Sequence, residues 1–129
     1  MSVRWSITLP PLERLREPQA LVDVRPLLAQ LITSFGTNGV ARLIDVAPAT
    51  VSNWRQGKRE MAPQYARRVA DLHYVLSRAF QTFQPSTALR WLVASDPFLD
   101  AARPIDVLVL QGPARVIEAL DAHESGAYP

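Results

Sequence analysis

Cysteine is absent from the 129-residue chain, which excludes disulfide scaffolds, zinc ribbons and thiol nucleophiles. No apolar run approaches the roughly 18 residues of a membrane span, and no charged segment leads into an apolar signal-like core. A Gly-rich phosphate loop and a nucleophile elbow are both missing. The only histidines, His73 and His123, do not form an i,i+4 metal-ligand pair. Both are expected to be solvated or packed side chains, and neither catalysis, a metal nor a cofactor is expected. Lysine is almost absent as well: Arg supplies 13 of the 14 cations, which fits phosphate recognition and GC-rich coding equally. A cytoplasmic protein with no membrane contact is the expectation.

What is present is a normal apolar content of 48% and an uneven distribution of charge. Wholesale disorder is therefore not expected. The formal net charge is only +2, yet residues 1–94 carry 12 basic and 6 acidic side chains, a net +6. Residues 95–129 carry Arg103 and Arg115 against Asp96, Asp100, Asp106, Glu118, Asp121 and Glu124, a net −4. Such asymmetry suggests two surfaces with different partners, or chance clustering. A basic half raises the expectation of nucleic acid.

Residues 3–9 alternate apolar and polar, with Val3, Trp5, Ile7 and Leu9 on one side, the pattern of a short strand stopped by Pro10-Pro11. A lone strand needs a partner subunit or the helices to pack on; otherwise residues 1–25 form a loose arm. From residue 26 onward the pattern is helical. Pro26 opens a helix carrying Leu27, Leu28, Leu31, Ile32 and Phe35, which Gly36 ends. A second helix runs from about Asn38 to Ile44 and a third from Pro48 to Gln56, closed by Gly57. Pro63 opens a long helix to about Phe83, with Val69, Leu72, Leu76, Phe80 and Phe83 on one face, as core or as a dimer seam. Pro85, Pro104 and Pro113 open three more helices, with a turn at Pro97-Phe98-Leu99. The fold class is all-α.

The stretch TNGVARLIDVAPATVSNWRQ, residues 37–56, with Gly57-Lys58-Arg59 after it, has the grammar of a helix-turn-helix. Ala41 is small enough for two helices to touch. Val40, Ile44, Val46, Val51 and Trp54 supply inner faces, and Asp45-Val46-Ala47 is the turn. The outer face of the third helix (Pro48, Ala49, Thr50, Ser52, Asn53, Arg55) is small, polar and nearly uncharged. A merely solvated face more often carries Glu and Lys. In such a motif Thr50 and Asn53 would read bases, with Ala49 near a thymine methyl. Arg55, Lys58 and Arg59 would hold phosphates, helped by Ser52 and by the helix start at Thr37 and Asn38. Arg67 and Arg68 either extend this basic surface or belong to the solvated face of the long helix. One module makes few contacts, so a homodimer on a double-stranded operator with half-sites about 10 bp apart is expected. The tail Trp-Arg-Gln-Gly-Lys-Arg resembles that of the Xre/Cro-repressor class. Asp45 stands where that turn usually has Gly; Asp tolerates the left-handed conformation better than most residues.

Residues 85–129 lie outside any minimal helix-turn-helix domain. Trp91-Leu92, Pro97-Phe98-Leu99, Arg103-Pro104-Ile105-Asp106-Val107-Leu108, Gly112, Val116, Leu120 and Gly126 follow one another there. This run resembles the toxin-binding domain of Xre/MbcA/ParS-type antitoxins, as does its place after a DNA-binding domain. Ala101 stands where that family tends to have Gly. On the residues themselves, Ile105, Leu108, Val109, Val116, Ile117 and Leu120 suit a small helical hairpin. Asp106 meets the positive end of a helix opened by Pro104.

The resemblance covers about residues 26–129 and leaves the arm (1–25) unaccounted for; it implies an Xre-like helix-turn-helix domain (26–84) and a toxin-binding domain (85–129). It implies an antitoxin of a type II pair that neutralises a RES-domain, NAD-consuming toxin by occluding its active site, and that binds its own operator. The tail Gly126, Ala127, Tyr128 and Pro129 would enter the toxin's cleft, a reading that the net −4 suits if Arg lines the cleft. The alternative for the tail is a frayed terminus, and the alternative for the whole chain is a stand-alone transcriptional regulator whose C-terminal helices only dimerise.

Overall fold

The computed structural model describes residues 23–126. The expected strand at 3–9 and the rest of the arm up to residue 22 lie outside them, as do Ala127, Tyr128 and Pro129. The described residues form six α-helices and one short 3-10 turn: α1 (Arg25–Ile44), α2 (Pro48–Gln56), α3 (Pro63–Thr82), α4 (Pro85–Leu92), the turn Pro97–Leu99, α5 (Pro104–Gln111) and α6 (Ala114–Glu124). The all-α expectation holds among these residues.

Proline sets most of the helix starts. α1 to α5 and the 3-10 turn each have Pro in the first two helical positions, where its missing N–H costs nothing. Gly36 ends the first helical limb, as expected, and a second limb follows. The chain leaves helical geometry there (φ 76°, ψ 165°) and resumes at once, so α1 is two limbs joined at a kink. The kink presses the limbs together: a Cβ on Gly39 would lie 3.0 Å from the Cβ of Phe35.

A continuous apolar core holds these elements. Leu28, Leu31, Val40, Ala41 and Ile44 of α1 bury against Val51 and Trp54 of α2 and Val69, Leu72, Val75 and Leu76 of α3. The core continues through Ala88, Trp91 and Leu92 to Ile105, Val107, Leu108, Val116, Ala119 and Leu120. Each fully buried aliphatic side chain is worth about 1.5–3 kcal/mol in removal from water. The helical stripe of α3 is thus intramolecular core, with one correction. Phe80, assigned to the stripe by spacing, is 44% exposed, and Ala79 occupies the buried position instead. α3 buries residues on the side facing both the first helices and the last ones, and this crowding leaves room for alanine, not phenylalanine.

Candidate functional site

The turn between α1 and α2 has the geometry the sequence demanded. Asp45 adopts the left-handed conformation (φ 62°, ψ 56°), and both its N–H and that of Val46 donate to the carbonyl of Ala41. Asp45 therefore holds a left-handed position of the kind that favours glycine. α2 ends on Gly57, also left-handed (φ 76°), whose N–H and that of Lys58 close onto the carbonyls of Asn53 and Trp54.

At 3.6 residues per turn, Ala49, Ser52 and Asn53 fall opposite the buried Val51 and Trp54. Ala49 is exposed, and Ser52 and Asn53 are half-buried. Thr50 sits at the edge of this face. It is half-buried and lines a cleft of about 200 Å³ with Asp45, Val46, Trp54, Arg59 and Tyr65. Arg55, Lys58 and Arg59 are exposed, and among the described residues no carboxylate lies within 4.0 Å of their cationic groups. Thr37 (half-buried) and Asn38 (exposed) stand where the second limb of α1 begins after Gly36.

Arg68 takes a role that sequence reasoning missed. Its guanidinium donates to the carbonyl of Ile44 at 2.8 Å and lies 5.2 Å from the ring centroid of Tyr65. Tyr65 in turn packs on Trp54, with centroids 5.6 Å apart. The long helix is thereby tied to the C-terminus of α1 and to the inner face of α2. Arg68 is half-buried, and one of its guanidinium nitrogens is committed to this tie.

The C-terminal third is organised around one residue that the sequence reading used only as a charge. Asp96 is 1% exposed. Its Oδ1 accepts from the N–H of Phe98 at 2.8 Å, and its Oδ2 accepts from Trp91 Nε1 at 2.7 Å and His123 Nε2 at 2.8 Å. Burial pushes the carboxyl up, but these donors outweigh it and hold the group below its ordinary range. The ionised carboxylate only accepts, so Nε2 of His123 carries the proton. The His123 ring is flanked edge-on by Phe83 and Phe98. A signal was available: Asp-Pro-Phe is the pattern of a capping Asp before a Pro-led turn.

The loop after Asp96 closes through the Asp96 N–H to Ala102 and the Ala101 N–H to Asp96, each 3.0 Å. Closure drives Asp100 (φ 57°) and Ala101 (φ 69°) into the left-handed region. Asp106 sits in the first turn of α5 as expected, and Arg103 grips it with two bonds of 2.8 Å. That grip lowers the Asp106 pKa, against a smaller effect of burial.

The net −4 of this third is largely engaged by cations. Asp100 pairs with Arg115, Asp106 with Arg103, and Asp121 and Glu124 with Arg78 of α3. It does not amount to a row of bare carboxylates. Gly126, the first tail residue, is exposed with φ 78°.

No family model matches the chain. A probable mycobacterial cidal antitoxin of Mycobacterium tuberculosis (strain ATCC 25618 / H37Rv) is 29% identical over 119 residues, covering 91% of this chain and 96% of that protein. Among solved structures, the crystal structure of the M. tuberculosis MbcT–MbcA toxin–antitoxin complex contains a chain of the same fold. The TM-score is 0.66 at 23% identity, over 84% of this chain and 100% of that one. The resemblance read from the sequence is borne out on both counts: in sequence and in fold, the chain is similar to an MbcA-type antitoxin.

Proposed function

We propose that the chain is the antitoxin of a toxin–antitoxin pair. It neutralises a RES-domain, NAD-consuming toxin through residues 85–129, with the tail Gly126, Ala127, Tyr128 and Pro129 at the toxin's active site. Its helix-turn-helix, within residues 26–84, binds operator DNA as a homodimer and represses the pair's own promoter. The observation that carries the reading is the extent of the similarity to a probable antitoxin, which runs through both segments rather than the helix-turn-helix alone. The DNA half of the reading is supported by the left-handed Asp45 turn, the outward small polar residues of α2 and three exposed cations just beyond it.

Co-expression with the product of the neighbouring gene tests it. A RES-domain protein should co-purify with this chain, and cells should survive the toxin only when this chain is present. Operator binding without any co-purifying protein would identify a stand-alone regulator instead.

A further inference from the structure

The second limb of α1 turns Val40, Ala41 and Ile44 into the core, but its neighbouring face is left partly uncovered. Phe35 and Leu43, both half-buried, line one side of an open groove of about 1160 Å³. Leu89 of α4 and Val93 just after it line the other side, with Val109 and Leu110 of α5. Two of these side chains stand out into solvent: Val93 is 45% exposed and Leu110 is 80% exposed. Single apolar residues scattered on a surface need no explanation, whereas several sharing one groove mark a contact surface.

The charges on this groove are of both signs. Arg103 and Asp106 line it as a pair already joined by two bonds of 2.8 Å. Arg42 and Asp45 also line it and are exposed. Among the described residues neither has an oppositely charged group within 4.0 Å. The rim is thus neutral, with one free cation and one free anion. Nucleic acid would call for cations alone. Across a two-fold axis, by contrast, each residue meets whatever the same patch offers, so the patch must complement itself. This one does: Arg42 of one copy can face Asp45 of the other, and each projecting Leu110 can fill the other copy's groove.

We propose that this groove seats a second copy of the chain and is the contact that makes the homodimer. The inference rests on the homodimer reading above and names its surface. None of Ala49, Ser52, Asn53, Arg55 and Lys58 lines the groove. A dimer joined there leaves the outward face of α2 uncovered for DNA. The apolar centre supplies affinity, and the opposed charges at its edge fix the orientation.

Sedimentation of the full chain over a range of concentrations tests the contact. Leu110→Asp changes a side chain that lies outside the monomer's core, so the far-UV circular dichroism should match wild type. Each substitution enters a two-fold contact twice, so the dimer dissociation constant should rise about a hundredfold or more. Affinity for a single operator half-site, which one copy can occupy, should be unchanged. Arg42→Gln and Asp45→Asn should each weaken the dimer, and Asn keeps a residue that tolerates the left-handed turn. Together they should weaken it no more than one alone, because they break the same pair. Independent, additive losses would overturn the two-fold arrangement.

A Leu110→Asp chain that dimerises like wild type would overturn the groove and leave the homodimer reading standing. If that dimer no longer co-purifies with the RES-domain protein, the groove seats the toxin instead. If it only unfolds at a lower temperature, the groove seats a segment of the same chain. A wild-type chain that is monomeric at every concentration would sink the homodimer reading and this contact with it.

Discussion

Arg68 donates to the carbonyl of Ile44 across 24 positions of sequence, at 2.8 Å. The last carbonyls of a helix have no intrahelical partner, and this one is answered by a side chain from the helix packed beneath it. Arg68→Ala removes that donor and the cation over Tyr65 together. It should destabilise the fold by about 1–2 kcal/mol, read as a shift in the urea midpoint. Arg68→Lys should recover only part of this, because an ammonium lacks the planar surface that lies over the ring.

Ala101 is held at φ 69° by a loop closed from both ends. A left-handed L-residue costs roughly 1–2 kcal/mol, and glycine would relieve it at about 0.5–1 kcal/mol in unfolded-chain entropy. Ala101→Gly should therefore stabilise the protein by up to about 1 kcal/mol. Thermal unfolding checks the sign, and a lowered midpoint would contradict the strain.

The helices were legible because their punctuation is local. Pro48, Pro63, Pro85 and Pro104 fix starts through their own φ, and Gly57 and Gly112 fix ends the same way. The turn between α1 and α2 was legible for a related reason: Ala41, Asp45, Val51 and Trp54 lie within 14 residues, so one short stretch encodes it. Asp96 was not legible as a centre. Its partner His123 is 27 positions away and meets it only because Phe83 and Phe98 bring three elements together. Charge counting misled for the same reason, since Arg78 from the basic half neutralises Asp121 of the acidic half. The misplacement of Phe80 has a different origin. Spacing of three or four residues cannot tell which edge of a wide helical stripe is crowded, and Ala79 is the residue that fits.

Asp96 makes the fold acid-sensitive. Its pKa is lowered in the folded protein, where burial is outweighed by the donors Trp91, His123 and the Phe98 N–H. A depressed carboxyl contributes stability that is fully present above its unfolded value, about 3.9, and is lost as pH falls through the folded value. Asp96→Asn should cost about 1–3 kcal/mol at pH 7, because one acceptor oxygen becomes a donor facing other donors. The gap between wild type and Asp96→Asn should then narrow below about pH 4. A gap that stays constant from pH 7 to pH 3 would show that folding does not lower the Asp96 pKa.

For the operator binding proposed above, Asn53 and Lys58 should fail in different ways. Asn53 lies on the outward face of α2 with Ala49 and Ser52, where an amide can make a paired contact with a base edge. Asn53→Ala should cost about 1–3 kcal/mol on the specific operator and little on unrelated DNA. Lys58 follows the left-handed Gly57, is exposed and has no carboxylate within 4.0 Å among the described residues. Such a cation is suited to a phosphate. Lys58→Ala should weaken operator and unrelated DNA alike, and should reduce the slope of log K against log salt by about one phosphate's worth. Titrations at several salt concentrations separate the two roles: an unchanged slope removes Lys58 from the phosphate contacts, and an operator affinity untouched by Asn53→Ala removes Asn53 from base reading.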